Sequence, residues 1–488
     1  MIYNSFNFLI IFPILFLLYY VIPAERQRLR NGYLLAVSYL LYANWKPAYV
    51  LILLGVTLVT YCGGRILSLE FRDKSLESVQ RAQEFKRLRR KRLVWCFALL
   101  GLLPLLVFKY YNFINDNISV GIEMLGLRFA LLGLNWAIPM GISFFTFQAV
   151  GYMLDVYHGR IKAEKDFLTY ALFISFFPSI VAGPINKASL VIPQLKSMRP
   201  YFDYGKAVEG LKFLLWGMFM KVVVADRVAL YVDTVFPHYM NYTGMTCFLA
   251  SILYTIQIYA DFAGYSLMAI GVGKTLGFEL TENFRRPYFA VSVTDFWRRW
   301  HISLSTWLKD YVYIPMGGSR CSKIRNYWNI FITFLVSGIW HGANWTFIVW
   351  GIWHGLFQII EKAIGQQKCE YGAFGKTIKI IITFLLVNFA WIFFRMPTLG
   401  DAVGMIERIF DTSLPMTIDM QSMHIFAMIV IGVVILFMKD LTDEICPESF
   451  KLYNNNNRIV RWSAYAMTML LILLMGVFDA GQFIYANF

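Results

Sequence analysis

Asp295-Phe-Trp-Arg-Arg-Trp-His301-Ile-Ser-Leu-Ser-Thr-Trp307 and Ser337-Gly-Ile-Trp-His341-Gly-Ala-Asn-Trp345 each place a histidine directly after a tryptophan. Both lie in a stretch, 295–354, whose surroundings read as membrane sequence. An ionisable group at membrane depth is costly and marks a functional site by default. The remainder of the chain reads as a scaffold that holds these two histidines where two aqueous entrances meet.

Of 488 residues, 58% are hydrophobic and only 15% charged, with aromatics at 18%. A soluble chain of this length could not cover so much apolar surface, so the composition indicates an all-α polytopic membrane protein. The formal charge of +15 comes from 45 Lys and Arg against 30 Asp and Glu. These bases cluster between apolar spans, which is an orientation signal and not a nucleic-acid footprint. The six cysteines are scattered with no Cys-x-x-Cys pair, so neither a disulfide nor a metal site is expected.

Hydropathy and loop charge give roughly twelve spans plus re-entrant elements. Residues 6–22 carry no base and are followed by Arg26, Arg28 and Arg30, which predicts a retained first span with an external N-terminus. Spans at 33–45 and 48–67 lead to the most basic loop, around 86–92. A span at 94–111, an external connector at 112–135 and a span at 136–157 follow. Residues 167–184 have bases on both flanks and read as re-entrant, ending at Ala182-Gly-Pro-Ile185. Spans at 208–225 and 246–272 flank an external loop at 233–245. A cytoplasmic basic region, 274–326, comes next. Within it Phe296, Trp297, Trp300, Leu304, Trp307, Leu308 and Tyr311 recur as the apolar stripe of one amphipathic helix, with Arg299, Ser303, Thr306 and Asp310 as its polar stripe. Spans at 327–340, 345–358, 378–394, 425–438 and 462–478 complete the chain. The region 396–423 is an external connector, and Lys362 and Lys368 are placed in the cytoplasm. The organisation is one membrane domain: peripheral helices in 1–135, a catalytic core in 136–395 and terminal helices in 396–488.

Zinc needs three or four ligands, and neither His341 nor His354 has a carboxylate or cysteine at ligand spacing. No Gly-x-Ser-x-Gly supports a serine nucleophile. General-base catalysis suits a histidine, which titrates near neutral pH. For His341 the alternative is a core imidazole bonded to a backbone carbonyl; Gly342 beside it is expected to clear space for a substrate. His354 reads first as structural. Asp261, a carboxylate in mid-span, must be paired or neutral, and structural anchoring comes ahead of catalysis for it.

Further motifs join the two histidine segments: Phe176-Phe-Pro-Ser-Ile-Val-Ala-Gly-Pro-Ile185, Gln257-Ile-Tyr-Ala-Asp-Phe-Ala-Gly-Tyr-Ser266, Glu282-Asn-Phe-Arg-Arg-Pro-Tyr288, Asp310-Tyr-Val-Tyr-Ile-Pro-Met-Gly-Gly318 and Trp391-Ile-Phe-Phe-Arg395. Together they resemble the membrane-bound O-acyltransferase (MBOAT) family, in particular the bacterial subgroup of the alginate O-acetyltransferase membrane subunit. The resemblance implies a ring of helices around a thinned centre with a central tunnel. It implies His341 as the catalytic histidine and His301 as the second active-site position. Trp300, Arg298, Arg299, Ser303, Trp340, Asn344 and Asp261 are the accompanying candidates for contacts with donor or substrate.

The expected reaction moves an acyl group, acetyl in the first instance, from a cytoplasmic thioester to hydroxyls of an exported polysaccharide or envelope polymer. Acetyl-CoA or an acyl carrier protein would be the donor, and no bound cofactor or metal is expected. The protein would sit in the bacterial inner membrane, and the resemblance implies an external SGNH-type transferase as a partner. A lipid- or protein-acylating member of the same family is the alternative; a solute or polymer transporter is a further one, though no internal repeat supports it. Orientation has a direct test. Single cysteines placed in 81–92 should be labelled only from inside and those near Asp411 only from outside; labelling of both from one side contradicts the topology.

Overall fold

Ser5 starts the first helix: its Oγ accepts the Phe8 N–H at 3.2 Å, satisfying one of the N–H groups that a helix start leaves unpaired. The computed structural model describes residues 3–72, 80–127, 132–197, 202–366, 372–413, 415–420, 422–446, 452–478 and 484. Lys368 and Cys369 lie outside them. Two compact units emerge, one of 1–210 with 272–281 and one of 211–271 with 282–488.

The first unit contains α1 (Phe6–Val21), α2 (Gln27–Ala43), α3 (Tyr49–Arg72), α4 (Gln80–Leu105), α5 (Tyr111–Met124), α6 (Ile142–Tyr157), α7 (Phe167–Ser175), α8 (Phe177–Ile180) and α9 (Ala188–Lys196). Three expectations change here. The basic segment 86–92 is not a loop but part of α4, since arginine and lysine are good helix formers and can hold their charges off the helix surface. The connector at 112–135 is largely helix: a π-helical turn at Leu106–Tyr110 joins α4 to α5, giving one continuous helical run, Arg87–Met124, with an apolar stretch long enough to cross a membrane. The span drawn at 136–157 begins only at Ile142.

The stretch 167–184 breaks at Phe176, where ψ is 106°. Nine helical residues in α7 reach only about 14 Å, short of a hydrocarbon core of about 30 Å. Polar side chains satisfy the exposed backbone of this break. Tyr3 Oη donates to the Pro178 carbonyl at 2.7 Å, Ser38 Oγ accepts the Phe177 N–H at 3.1 Å, and Gln148 Nε2 donates to the Phe173 carbonyl at 2.6 Å. Irregular backbone shielded by protein in this way is the form a membrane protein tolerates.

α10 (Tyr204–Met218) leads into the second unit, followed by a π-helical segment, Phe219–Ala225. Then come α11 (Asp226–Val235), α12 (Gly244–Thr275), α13 (Val293–Arg299), α14 (Ile302–Leu308), α15 (Lys323–His341), α16 (Trp345–Ala363), α17 (Ala373–Arg395), α18 (Leu399–Ile409), α19 (Met423–Ile445) and α20 (Arg458–Met475). The external loops drawn at 233–245 and 396–423 therefore carry helix: α11 runs to Val235, and α18 lies within the later one. Six helices among the described residues are long and apolar enough to cross a membrane, against roughly twelve expected spans. The aromatic-rich α15 and α16, nineteen residues each, are not among the six. Large apolar side chains such as Leu40, Leu51, Ile459 and Leu473 point outward, as a lipid-facing surface requires.

Asp261 on α12 sits in a buried ionic cluster. Lys221 Nζ lies 2.7 Å from a carboxylate oxygen of Asp226 and 2.7 Å from one of Asp261. The Ile484 N–H donates to the other Asp261 oxygen at 2.8 Å. The lone lysine of an apolar run thus meets the lone carboxylate of a helix span. α15 and α16 cross at Gly338 and Gly351: a Cβ on Gly338 would lie 2.4 Å from the Phe347 carbonyl oxygen, so only glycine permits this approach.

Candidate active site

The single amphipathic helix expected across 295–311 is two helices. α13 ends at Arg299, Trp300 is extended, and His301 takes a left-handed conformation at φ 44°, ψ 53° before α14 begins. Such a conformation is unfavourable for a residue with a Cβ and persists only where surroundings enforce it. The enforcement is visible. Ser292 Oγ caps α13 by accepting the Asp295 N–H, and the Glu361 carboxylate accepts the Val293 and Thr294 N–H groups. At the other end the Arg285 N–H donates to the Arg299 carbonyl and the Ile302 N–H to the Asn283 carbonyl. The break turns His301 and Ser303 inward, where periodicity alone had put Ser303 on a polar surface.

Asn283 fixes the His301 ring. Its Oδ1 accepts the Ser303 N–H at 3.2 Å and the Ser303 hydroxyl at 2.9 Å, so that oxygen is the acceptor side of the amide. His301 Nδ1, 3.1 Å from the same oxygen, must therefore be the donor. The neutral ring then carries its lone pair on Nε2. Burial pushes this imidazole far below the usual histidine range, to about 3, so it is uncharged at neutral pH.

Trp340 links the two motif histidines. Its ring lies 6.0 Å from His301 and 4.9 Å from His341, centroid to centroid. His341 ends α15, is 2% exposed, and is also walled by Trp350 at 4.8 Å and Phe394 at 5.2 Å, both edge-on. Trp300, fully buried, packs on Phe284, Trp391 and Phe296. Gly342 does not open space for a substrate. The Phe347 ring fills the position, 2.0 Å from where a Cβ would be, so the glycine lets α16 close against the end of α15.

The remaining candidates divide. Arg299 is held by Glu444 at 3.0 Å and by Asp295 at 3.1 Å, while Arg298 beside it is exposed. Asn344 caps α16: its Oδ1 accepts the Thr346 N–H at 3.1 Å and its Nδ2 donates to the Pro397 carbonyl at 2.7 Å. Asp261 belongs to the Lys221 cluster. Sequence reasoning passed over Asn283, although the Glu282–Tyr288 motif contained it. The Trp391–Arg395 motif likewise contained Phe394, and Trp350 and Glu444 become partners only through the tertiary fold.

The sequence is similar to known proteins. The MBOAT, membrane-bound O-acyltransferase family matches residues 160–397, which include both histidine motifs. The probable alginate O-acetylase AlgI of Pseudomonas syringae pv. tomato is 38% identical over 412 residues, 84% of this chain and 75% of the relative. The peptidoglycan O-acetyltransferase of Helicobacter pylori is 32% identical over 437 residues, 83% and 79% of the two chains. The teichoic acid D-alanyltransferase of Bacillus subtilis is 28% identical over 211 residues, 42% of this chain and 53% of that one. The chain belongs to the membrane-bound O-acyltransferase family. It is a multi-pass membrane acyltransferase.

Proposed function

We propose that this enzyme transfers an acyl group, acetyl in the first instance, from a cytoplasmic thioester across the membrane to a hydroxyl of an exported polysaccharide or other envelope polymer. The observation that carries this reading is the placement of His301 and His341 about one buried indole, in a chain so similar to relatives named for polymer O-acetylation. His341 takes the proton of the attacking hydroxyl, the oxygen bonds to the thioester carbonyl carbon, and the C–S bond breaks. The leaving thiolate receives the proton, so an ester and a free thiol result. His301 presents a lone pair at Nε2, which suits it to accept a hydrogen bond from the hydroxyl or from water. Negative charge on the carbonyl oxygen then falls to N–H donors around the rings. An external SGNH-type transferase fits the same chemistry as a first hydroxyl acceptor.

Acetyl-CoA and acyl carrier proteins are both acidic, and exposed Arg298 beside the site offers one positive charge to them. Reversing Arg298 and Arg299 together would conflate two effects, because Arg299 is held by Glu444. Arg298→Glu alone is expected to raise the KM for acetyl-CoA several-fold with kcat and protein level retained. Arg299→Glu is expected to lower the accumulated protein instead. An unchanged KM in Arg298→Glu would leave Arg298 as an interfacial anchor. The reading as a whole is tested by deleting the gene and measuring ester-linked acyl groups on exported polymers, which should fall and return with the native gene.

A further inference from the structure

Trp297, Trp350 and His354 form a corner in which each ring meets the other two. Centroids lie 4.9 Å apart for Trp350 and His354, 5.2 Å for Trp297 and His354, and 5.6 Å for the two indoles, with interplanar angles of 72°, 89° and 74°. His354 and Trp350 are fully buried and Trp297 is nearly so. Among the described residues, neither ring nitrogen of His354 and neither indole N–H of these tryptophans has a hydrogen-bond partner. Buried polar atoms are normally paired, and here four that are not share one corner.

Edge-on packing explains part of this. An indole N–H directed at a ring face gains a weak N–H···π contact. That cannot serve the imidazole fully, because a neutral histidine carries one N–H and one lone pair. A lone pair buried among aromatic rings needs a donor. A carbonyl oxygen would accept from the N–H groups but leave the lone pair unmet. An oxygen that both accepts and donates can meet one imidazole nitrogen and an indole N–H at once.

We propose that Trp297, Trp350 and His354 bind an O–H group, either ordered water or an alcohol of the acceptor, one indole away from His341. Trp350 contacts both histidines, at 4.8 Å to His341 and 4.9 Å to His354. The site keeps a hydroxyl beside the base; this consequence rests on the acyl-transfer reading, whereas the site itself does not.

The test is a pair of cryo-EM maps of the full chain in lipid nanodiscs, at a resolution that shows ordered water, one without additions and one with mannitol as a polyol probe. The expected result is density for an oxygen at about 2.7–3.2 Å from a His354 nitrogen and from at least one indole Nε1. Density already present without mannitol identifies water, and density appearing only with mannitol identifies an alcohol; both support the site. No such density in either map, or a direct bond from an indole N–H to His354, overturns it. A variant gives a second reading. His354→Phe keeps the ring and removes both nitrogens, so a packing residue should tolerate it, with acyl transfer unchanged. The site predicts an unchanged melting temperature with transfer lowered about tenfold. Should the chain transfer no acyl group at all, the maps still decide the site.

Discussion

His341→Gln and His341→Ala are expected to insert and accumulate as the native chain does while acyl transfer falls at least about 10²-fold, the scale of general-base assistance. Glutamine separates the roles open to this residue. It retains much of the volume between Trp340, Trp350 and Phe394, and it can still donate and accept hydrogen bonds. It cannot take up a proton at neutral pH. A packing role should therefore survive His341→Gln at least in part, and a base should not. His354→Gln is expected to lose much less, because His354 lies beyond Trp350. Initial rates with equal amounts of purified protein check both.

Lys221→Met should be the most destabilising single change outside the aromatic cluster. It leaves Asp226 and Asp261 buried without their shared cation, and removing one partner of a buried ion pair costs about 3–5 kcal/mol. Buried ionic groups contribute less to stability than their contacts suggest, since desolvation offsets attraction. Replacing the whole cluster, with Asp226→Asn and Asp261→Asn added, should therefore recover most of the loss. Thermal unfolding in detergent decides this, and an unchanged transition in Lys221→Met would mean that the cluster does not hold the Phe219–Ala225 segment and α11 to α12.

Much of this was legible from local pattern. Apolar runs gave the membrane class, and α1, α12, α15 and α20 end within a few residues of the hydropathy boundaries. The histidine motifs announced themselves because a charge-capable ring in apolar sequence has few cheap explanations. Asp261 could be expected to need a partner, but not that Lys221 would supply it, since nothing local links a lysine and an aspartate forty residues apart. The break at Trp300–His301 was hidden because residues 296–311 keep helical periodicity through it. Tertiary bonds from Asn283, Arg285 and Glu361 impose the turn against that local preference. Gly342 shows the same limit in reverse: a glycine beside a histidine suggested room for a substrate, and the room belongs to Phe347.

The proposed reaction transfers an acyl group from a thioester to a hydroxyl acceptor at His341. The most direct measurement uses proteoliposomes supplied with acetyl-labelled acetyl-CoA on the face bearing the 81–92 segment and an envelope polysaccharide enclosed on the other. Alkali-labile label is expected on the enclosed polymer with the native chain, with release of free coenzyme A thiol in equal amount, and neither with His341→Gln. Equal labelling by His341→Gln, or label appearing only on polymer added to the donor face, would contradict it.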